Sequence, residues 1–344
     1  MTRSSTTWRS DRRSTPWPRK IVFAVALSGL AMTTPAALAE ADQARPHHAK
    51  LLASGLEGTL GSAIGPDGAL YVPEGALGRI TRVDPSTGDE STFASGLPPA
   101  EFGGAVDVAF VGPTAYVLVT LVAPDHVVGI YRVDDADSFT VIADIGAYSV
   151  RNPPSFPVDV PEGLQYALQP IVGGFLVSDG HHNRVLQVTF AGEVTEAITL
   201  DNVVPTGLAV AGLNVYVAEA GPVPHSPETG RIVVSDLDPP TTTVVASGFS
   251  LMVDVEFGWG RAPFALSQGD SPGDVPPASP AAPRSGELLR TNDDGTFCVL
   301  VDRLNQPTSL DFVGDTAFIV TLNGEVWKVK SVSKLARRCG ADHH

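Results

Sequence analysis

Residues 50–83 of the chain read KLLASGLEGTLGSAIGPDGALYVPEGALGRITRV. Short apolar runs alternate there with glycine-rich turns. The Gly-Pro-Asp-Gly turn at residues 65–68 supplies both the fixed φ and the positive φ that a chain reversal needs. Apolar runs of this length, rich in β-branched side chains and bounded by turn residues, are typical of β-strands. The stretch therefore predicts a unit of consecutive antiparallel strands.

The strand that ends this unit, residues 78–83, has counterparts along the rest of the chain. They stand at residues 129–133, 183–188, 230–235, 286–291 and 324–329. The mean spacing is about 49 residues, which suits a four-stranded propeller blade. An inner strand and a second strand precede each counterpart. The sequence thus predicts an all-β fold, a six-bladed β-propeller.

The sixth unit lacks an outer strand of its own. The phrase Ala-Ser-Gly-Leu that ends an outer strand at residues 94–97 also stands at residues 53–56, ahead of the first unit. We therefore expect residues 50–56 to complete the last blade and close the ring, which removes an exposed sheet edge. This interpretation makes residues 49–335 a single propeller domain. Separate domains or a β-sandwich are the alternatives.

Residues 1–39 have the layout of a secretory signal peptide. Six basic residues and one acid precede the apolar run 21–32, and the small-residue site Ala-Leu-Ala ends at residue 39. The run is shorter than the roughly 20 residues that a membrane span needs. The sequence predicts cleavage after Ala39, a flexible segment 40–48 and a secreted or periplasmic protein. A membrane anchor and a twin-arginine signal are the alternatives.

The whole chain has a net charge of −15, from 23 Lys and Arg against 38 Asp and Glu. An anionic surface repels the phosphate backbone of nucleic acids. It also concentrates cations. The charge argues against a nucleic-acid partner, and no later run is long enough to span a membrane.

The chain has two cysteines, Cys298 and Cys339. In an oxidising compartment such a pair can form a disulfide. The bond would attach the C-terminal tail, residues 336–344, to the propeller. Two unpaired thiols are the alternative.

Two kinds of loop share one end of a propeller. One leads from an outer strand to the next inner strand, and the other joins the second strand to the third. Acidic residues stand at both positions, namely Glu74, Asp107, Glu162, Asp179, Glu219 and Asp254. Carboxylates brought together repel one another unless a cation or shared protons compensate. The six are candidate Ca²⁺ ligands. The alternative is that they point into solvent or cap turns.

The segment SDGHHNR at residues 178–184 lies in such a loop of the third unit. Because imidazole titrates near neutral pH, His181 or His182 is a candidate general base, with Asp179 beside it. An exposed histidine that orients the turn is the alternative. The chain has no His-Glu-x-x-His, phosphate-loop or dinucleotide motif. The sequence therefore indicates no particular reaction.

Residues 52–56 and 61–75, together with VYVAEAG at residues 215–221, resemble the corresponding parts of ScyD/ScyE family proteins. These are secreted six-bladed propellers related to the NHL-repeat, gluconolactonase and strictosidine-synthase-like propellers. The resemblance covers about residues 50–330. It implies the fold and export, without an assigned reaction.

Three functions follow as expectations. The first is a secreted binding or accessory protein that takes a small molecule, a glycan or a protein at the acidic mouth of the channel. The second, implied by the resemblance to gluconolactonases, is a divalent-metal-assisted lactone or ester hydrolase with the metal on Glu74, Glu162, Glu219 and Asp254. The third is a protein-interaction scaffold with no ligand.

Overall fold

The computed structural model describes residues 46, 48–237, 240–273, 275 and 279–339. The predicted signal peptide, residues 1–39, lies outside these ranges. So do most of the predicted flexible segment 40–48 and the last five residues of the tail.

The described residues form six antiparallel sheets of four strands each. Numbered in chain order, the first three sheets contain β2 (Ala63–Ile64), β3 (Leu70–Glu74), β4 (Arg79–Val83) and β5 (Glu90–Ser95); β6 (Gly104–Val111), β7 (Thr114–Thr120), β8 (Gly129–Asp135) and β9 (Ser138–Asp144); β10 (Gln165–Ile171), β11 (Gly174–Asp179), β12 (Arg184–Thr189) and β13 (Val194–Thr199). The other three contain β14 (Pro205–Ala211), β15 (Asn214–Glu219), β16 (Gly230–Leu237) and β17 (Pro240–Phe249); β18 (Met252–Glu256), β19 (Phe264–Ser267), β20 (Gly286–Thr291) and β21 (Phe297–Leu304); β22 (Pro307–Val313), β23 (Thr316–Thr321), β24 (Glu325–Lys330) and β1 (Lys50–Ser54). The prediction of an all-β, six-bladed propeller is confirmed.

The N-terminal strand closes the ring as predicted. Strand β1 pairs antiparallel with β24, the last strand of the chain. The amides of Gly55 and Leu56 both donate to the Gly324 carbonyl, at 3.0 and 3.2 Å. The sixth blade is therefore built from both ends of the propeller, and its fourth strand covers an edge that would otherwise be open.

The hydrophobic core is divided into six clusters, one between each pair of neighbouring blades. Strand β3 shows how the sequence produces this division. Leu70 and Val72 pack towards the sixth blade, whereas Ala69 and Tyr71 pack towards the second. Successive side chains of a strand point to opposite faces, so an unbroken apolar run buries both faces at once.

Two α-helices of the described residues stand outside the blades. Helix α1 (Ile145–Arg151) follows β9, and the Asp144 carboxylate caps it by accepting the Ala147 amide at 2.7 Å. Helix α2 (Val332–Cys339) follows β24 and packs on the core between the fifth and sixth blades. Neither helix was predicted from the sequence, and residues 336–339, the second half of α2, were assigned to the tail. No helix within the described ranges is long and apolar enough to cross a bilayer.

The predicted disulfide is confirmed. It joins Cys298 in β21 to Cys339 at the end of α2, with the Cα atoms 6.0 Å apart. The bond ties the outer strand of the fifth blade to the segment that follows the sixth blade. It therefore spans the blade at which the ring closes.

Candidate functional site

Three of the predicted acids lie at the ends of second strands, each directly opposite an arginine that begins the third strand. The pairs are Glu74 with Arg79, Asp179 with Arg184, and Glu219 with Arg231. All three carboxylates are 0 % exposed. Each pair closes one hairpin of its own blade, because buried carboxylates need a paired cation. These acids are therefore used by the fold.

The pair in the third blade is the most heavily bonded of the three. The Arg184 Nε donates to Asp179 at 2.8 Å, and the Gln165 amide donates to the same carboxylate at 3.0 Å. The Arg184 guanidinium also donates to the Ser149 hydroxyl at 3.0 Å. Asp179 is thus a positioning residue of this hairpin, and its oxygens are occupied.

His182 belongs to the same buried group and His181 does not. The His182 Nε2 lies 3.1 Å from the Val160 carbonyl, and Nδ1 lies 3.1 Å from the Arg184 guanidinium. The same Nδ1 also lies 3.1 Å from the Asp179 carboxylate, so both ring nitrogens have polar partners within the fold. His182 therefore has no free nitrogen for catalysis.

The pairs in the first and fourth blades differ by one hydroxyl. The Glu74 Oε1 accepts from both Arg79 and the Thr81 hydroxyl. Val233 stands where Thr81 stands, and the Glu219 Oε1 is buried without a hydrogen-bond partner. Burial raises the pKa of Glu219, and the Arg231 contact opposes that rise.

This difference yields a matched pair of expected results. Thr81→Val should lower the free energy of unfolding by about 1.5–3 kcal/mol, because it removes a hydrogen bond to a buried charge. Val233→Thr should raise it by about 1 kcal/mol, since the new hydroxyl reaches the unpartnered Glu219 oxygen. Urea denaturation at pH 7 measures both. Equal effects of the two substitutions would contradict this interpretation.

A second group of carboxyls lies on the inner strands, which line the central channel of a propeller. It contains two of the predicted acids, Asp107 of β6 and Asp254 of β18, which occupy the same register position. Glu256 lies two residues after Asp254 on the same face of β18. Asp311 has the equivalent position in β22, two residues after Ser309. We call these four the channel carboxyls. The sequence analysis missed Glu256 and Asp311.

Asp107 and Asp254 also join neighbouring blades. Asp107 accepts the amides of Val108 and of Leu168, in the next blade, at 2.8 and 2.7 Å. Asp254 makes the equivalent bonds with Val255 and Leu310, at 2.8 and 2.7 Å.

Glycines on the preceding inner strands leave room for these two carboxyls. A Cβ at Gly61 would lie 2.3 Å from the Asp107 Oδ1, and one at Gly207 would lie 2.3 Å from the Asp254 Oδ1. A glycine of one blade therefore lies against an aspartate of the next blade in two places, between the first and second blades and between the fourth and fifth.

The channel carboxyls hold protons more tightly than ordinary carboxyls. Burial raises the pKa of Asp254 to about 8 and that of Asp311 to about 6. Burial also raises the pKa of Asp107 and of Glu256 well above their usual range, with repulsion from the other members as a further cause. No Lys or Arg of the described segments forms an ion pair with them.

Glu256→Gln is expected to flatten the pH dependence of stability. The pKa of Glu256 is higher in the folded state, so its contribution is greatest at low pH and is lost as the pH rises towards the folded value. At pH 8 the variant should be more stable than the original protein, because the uncharged amide avoids the cost of ionising a buried carboxyl. At pH 4.5 the two should be equal.

Denaturation at several pH values measures this slope. The matched control is Glu193→Gln, on an exposed hairpin turn, which should leave the slope unchanged. A Glu256→Gln slope equal to that of the original protein would contradict the assignment of Glu256 to the channel group.

The described residues do not fit a bound metal. No three of their His, Cys, Asp or Glu side chains lie close enough to hold one ion. The six predicted ligands are not brought together, because arginines hold Glu74, Asp179 and Glu219. Glu162 lies exposed in the loop before β10, where only its carbonyl accepts a bond, from Gln165 at 3.1 Å.

The position of Glu162 follows from a register shift in the third blade. Leu168 pairs with Val177 as Val108 pairs with Val117 in the second blade. Ala167 therefore stands where Asp107 stands, whereas the repeat pattern in the sequence places Gly163, four residues earlier, at that position. Helix α1 and the long loop after it cause the shift.

His181 lies at the mouth of the channel together with a tyrosine and a second histidine. The His181 Nε2 is 3.4 Å from the Tyr166 hydroxyl. His225 comes from the loop after β15, and its Nδ1 is buried without a hydrogen-bond partner. Burial lowers the pKa of both histidines. Both rings are therefore neutral at pH 7 and able to accept a proton or a hydrogen bond.

Two patterns in the sequence indicate the arginine partners and the further channel carboxyls that were not predicted. An acid that ends a second strand occurs with an arginine that begins the third, as in Glu74 and Arg79. Where the second strand ends in a hydroxyl residue, the third begins with glutamate, as in Ser267 opposite Glu287. The other signal is acidic residues two apart on an inner strand, as in Asp254 and Glu256.

Several solved structures share this fold, and three of them illustrate the range of the similarity. The gluconolactonase XC5397 of Xanthomonas campestris has a TM-score of 0.58 and 13% identity, over 81% of this chain and 88% of its own. The aldose sugar dehydrogenase of Streptomyces coelicolor has a TM-score of 0.52 and 13% identity, over 83% of this chain and 98% of its own. A chain of the nidogen/laminin complex has a TM-score of 0.51 and 13% identity, over 74% of this chain and 84% of its own. No family model and no curated protein sequence matches the chain. At these identities the likeness shows the propeller fold alone.

Proposed function

We propose that the protein is a secreted binding protein that holds a small, uncharged, hydroxyl-rich molecule, such as a sugar or a sugar lactone, in the central channel. The observation that carries the proposal is the group of four channel carboxyls, which face the channel without a paired cation. Export and membership of the ScyD/ScyE family stay predictions from the sequence.

The protonation of these carboxyls favours an uncharged ligand. With a pKa of about 8, Asp254 holds its proton at neutral pH, whereas Asp311, at about 6, is mostly ionised. A protonated carboxyl donates a hydrogen bond and an ionised one accepts. Asp254 and Asp311 can therefore bind hydroxyl groups, which both accept and donate hydrogen bonds. The neutral rings of His181 and His225 add acceptors at the mouth.

The shared fold supports the same ligand class. Two of the structural neighbours, the gluconolactonase and the aldose sugar dehydrogenase, are named for sugars or sugar lactones. The nidogen/laminin chain shows this fold in a protein complex. Pockets that bind small molecules place a few polar groups in a concave site, which the channel provides.

Hydrolysis of the bound lactone is the second candidate function. The observation that favours it is the neutral His181 beside the Tyr166 hydroxyl at the mouth. His181 would take a proton from water as its oxygen bonds to the lactone carbonyl carbon. The ring C–O bond then breaks, and the leaving alkoxide takes that proton. Because the residues do not fit a metal, this step uses side chains alone.

Calorimetry and thermal shift with D-glucose, glucono-1,5-lactone and neutral oligosaccharides test the proposal. We expect binding that Glu256→Gln and Asp311→Asn weaken at least tenfold and that Glu193→Gln leaves unchanged. Binding without consumption of lactone supports the binding protein. Turnover that His181→Ala abolishes would support the hydrolase instead.

Two further outcomes are decisive. No binding across the panel would contradict the proposal and favour a scaffold without a ligand. Ca²⁺ and EDTA should leave the melting temperature unchanged, since no ligand group for the ion is assembled. A clear Ca²⁺-dependent shift would revive the metal-assisted hydrolase.

A further inference from the structure

A cavity of about 260 Å³ lies where the C-terminal helix meets the start of the first strand. It is lined by His48, Lys330, Ser331, Lys334, Leu335 and Arg338. None of these residues belongs to the channel or to its mouth. The cavity is therefore separate from the proposed binding site.

The charge of this cavity is opposite to that of the protein. The chain as a whole has a net charge of −15. The cavity wall nevertheless contains three permanent cations and a histidine, and no acid. Within the described ranges, none of the cations Lys330, Lys334 and Arg338 forms an ion pair.

The arrangement on helix α2 is unfavourable without a counter-ion. Lys334 and Arg338 are four residues apart, so they lie one above the other on the same helix face. Like charges at this spacing destabilise a helix. Since no acid in the described residues neutralises them, the helix retains that repulsion.

A second like-charge pair continues the positive surface along the ring closure. Lys50 of β1 stands directly opposite Lys328 of β24, an arrangement that destabilises an antiparallel pair. The Lys328 amine lies 5.6 Å from the centre of the Phe318 ring and donates to the Pro85 carbonyl. Burial lowers the pKa of Lys328, and repulsion from Lys330 and Lys50 lowers it further.

We propose that this cavity binds a small ligand through its phosphate group. The Arg338 guanidinium offers a planar fork of donors for two phosphate oxygens, and the Lys330 and Lys334 ammonium groups add point charges. The Ser331 hydroxyl supplies a neutral donor. A bound phosphate would neutralise the repulsion that the helix otherwise retains.

The shape of the cavity favours a small ligand over an extended polymer. Its volume is slightly below the roughly 300–1,000 Å³ of pockets for drug-sized molecules. Leu335 gives one wall an apolar contact for the body of a phosphate ester. The phosphate could come from a free ester or from a lipid headgroup, and the two sources need separate arms of the test.

Isothermal titration calorimetry with inorganic pyrophosphate, on the purified protein with its disulfide intact, tests this inference. The test variant is Lys334→Gln/Arg338→Gln. The matched control is Arg151→Gln/Arg261→Gln, which removes the same charge from exposed positions elsewhere. We expect the test variant to bind at least tenfold more weakly than the original protein, and the control to bind equally well.

A second readout separates binding from folding. Without pyrophosphate, the test variant should melt at the same or a slightly higher temperature, because the substitution relieves repulsion. With saturating pyrophosphate, the original protein and the control should gain stability and the test variant should not. A test variant that melts lower but binds normally would overturn the proposal.

The remaining arms identify the ligand chemistry. Phosphatidylglycerol vesicles that bind with the same dependence on the variants would identify a lipid headgroup as the phosphate source. Binding of pyrophosphate but not vesicles would identify a free ester. Absence of binding in both arms, equal binding by all variants, or sulfate bound as tightly as pyrophosphate would overturn the proposal.

Discussion

Replacing Arg184 by methionine is expected to lower the free energy of unfolding by about 3–5 kcal/mol. The Arg184 side chain is 3 % exposed and that of Asp179 is 0 % exposed. The substitution keeps the aliphatic volume but leaves Asp179 as a buried charge without its cation. Removing one partner of a buried pair is costly for that reason, whatever the net value of the intact pair.

The control is the same change at an exposed pair. Arg132 binds Asp134 at 2.6 Å, and their side chains are 40 % and 29 % exposed. Arg132→Met should change the free energy of unfolding by at most about 1 kcal/mol, as exposed ion pairs contribute little. Guanidinium denaturation of the two variants measures both values. Similar losses would show that Arg184 acts through packing alone and would contradict the role given to the pair.

Removing the disulfide by Cys298→Ser/Cys339→Ser is expected to cost about 4 kcal/mol. The bond closes a loop with a sequence separation of 41 residues, and the chain-entropy relation gives about that value for such a loop. The loop contains all of β22, β23 and β24, the three strands of the blade that β1 completes by pairing with β24. In the unfolded chain these strands are free once the bond is lost, so ring closure becomes less favourable.

Denaturation with and without dithiothreitol measures this effect and supplies its control. Reductant should destabilise the original protein and leave the double variant unchanged. A loss below about 1 kcal/mol on reduction would show that α2 and the sixth blade hold together without the bond. It would contradict the role that we give to the disulfide in closing the ring.

The fold could be predicted from the sequence because its information is local and repeated. Residues 50–83 contain one strand of the last blade and most of the first blade, and later segments copy their turns. The ring closure could be predicted because the phrase at residues 53–56 copies an outer strand. The third blade shows the limit, since an inserted helix moves its inner strand by four residues without changing the apolar pattern.

The site could be predicted only in part. Asp107 and Asp254 were identified because they stand near the start of the inner strands, where a loop from the preceding blade enters. Glu256 and Asp311 were missed because only the start of each inner strand was compared. Glu74 and Glu219 were proposed as ligands without regard to Arg79 and Arg231, which lie opposite them across the hairpin and pair with them.

Helix α2 was missed for a physical reason. Its buried side chains Val332, Ala336 and Cys339 have helical spacing, but the helix is only eight residues long, so the pattern extends over little more than two turns. Most of its stability comes from packing on the fifth and sixth blades and from the disulfide. A short helix of this kind is marginal by itself in water.

The proposed function depends on channel carboxyls that hold their protons to a higher pH than ordinary carboxyls do and that act through hydrogen bonds. Infrared spectroscopy of the carboxyl C=O stretch, recorded from pH 5 to pH 9, tests it most directly. We expect a protonated-carboxyl band that persists at pH 7, loses intensity around pH 8 as Asp254 ionises, and is smaller in Glu256→Gln. Complete ionisation of every carboxyl below pH 6 would contradict the account.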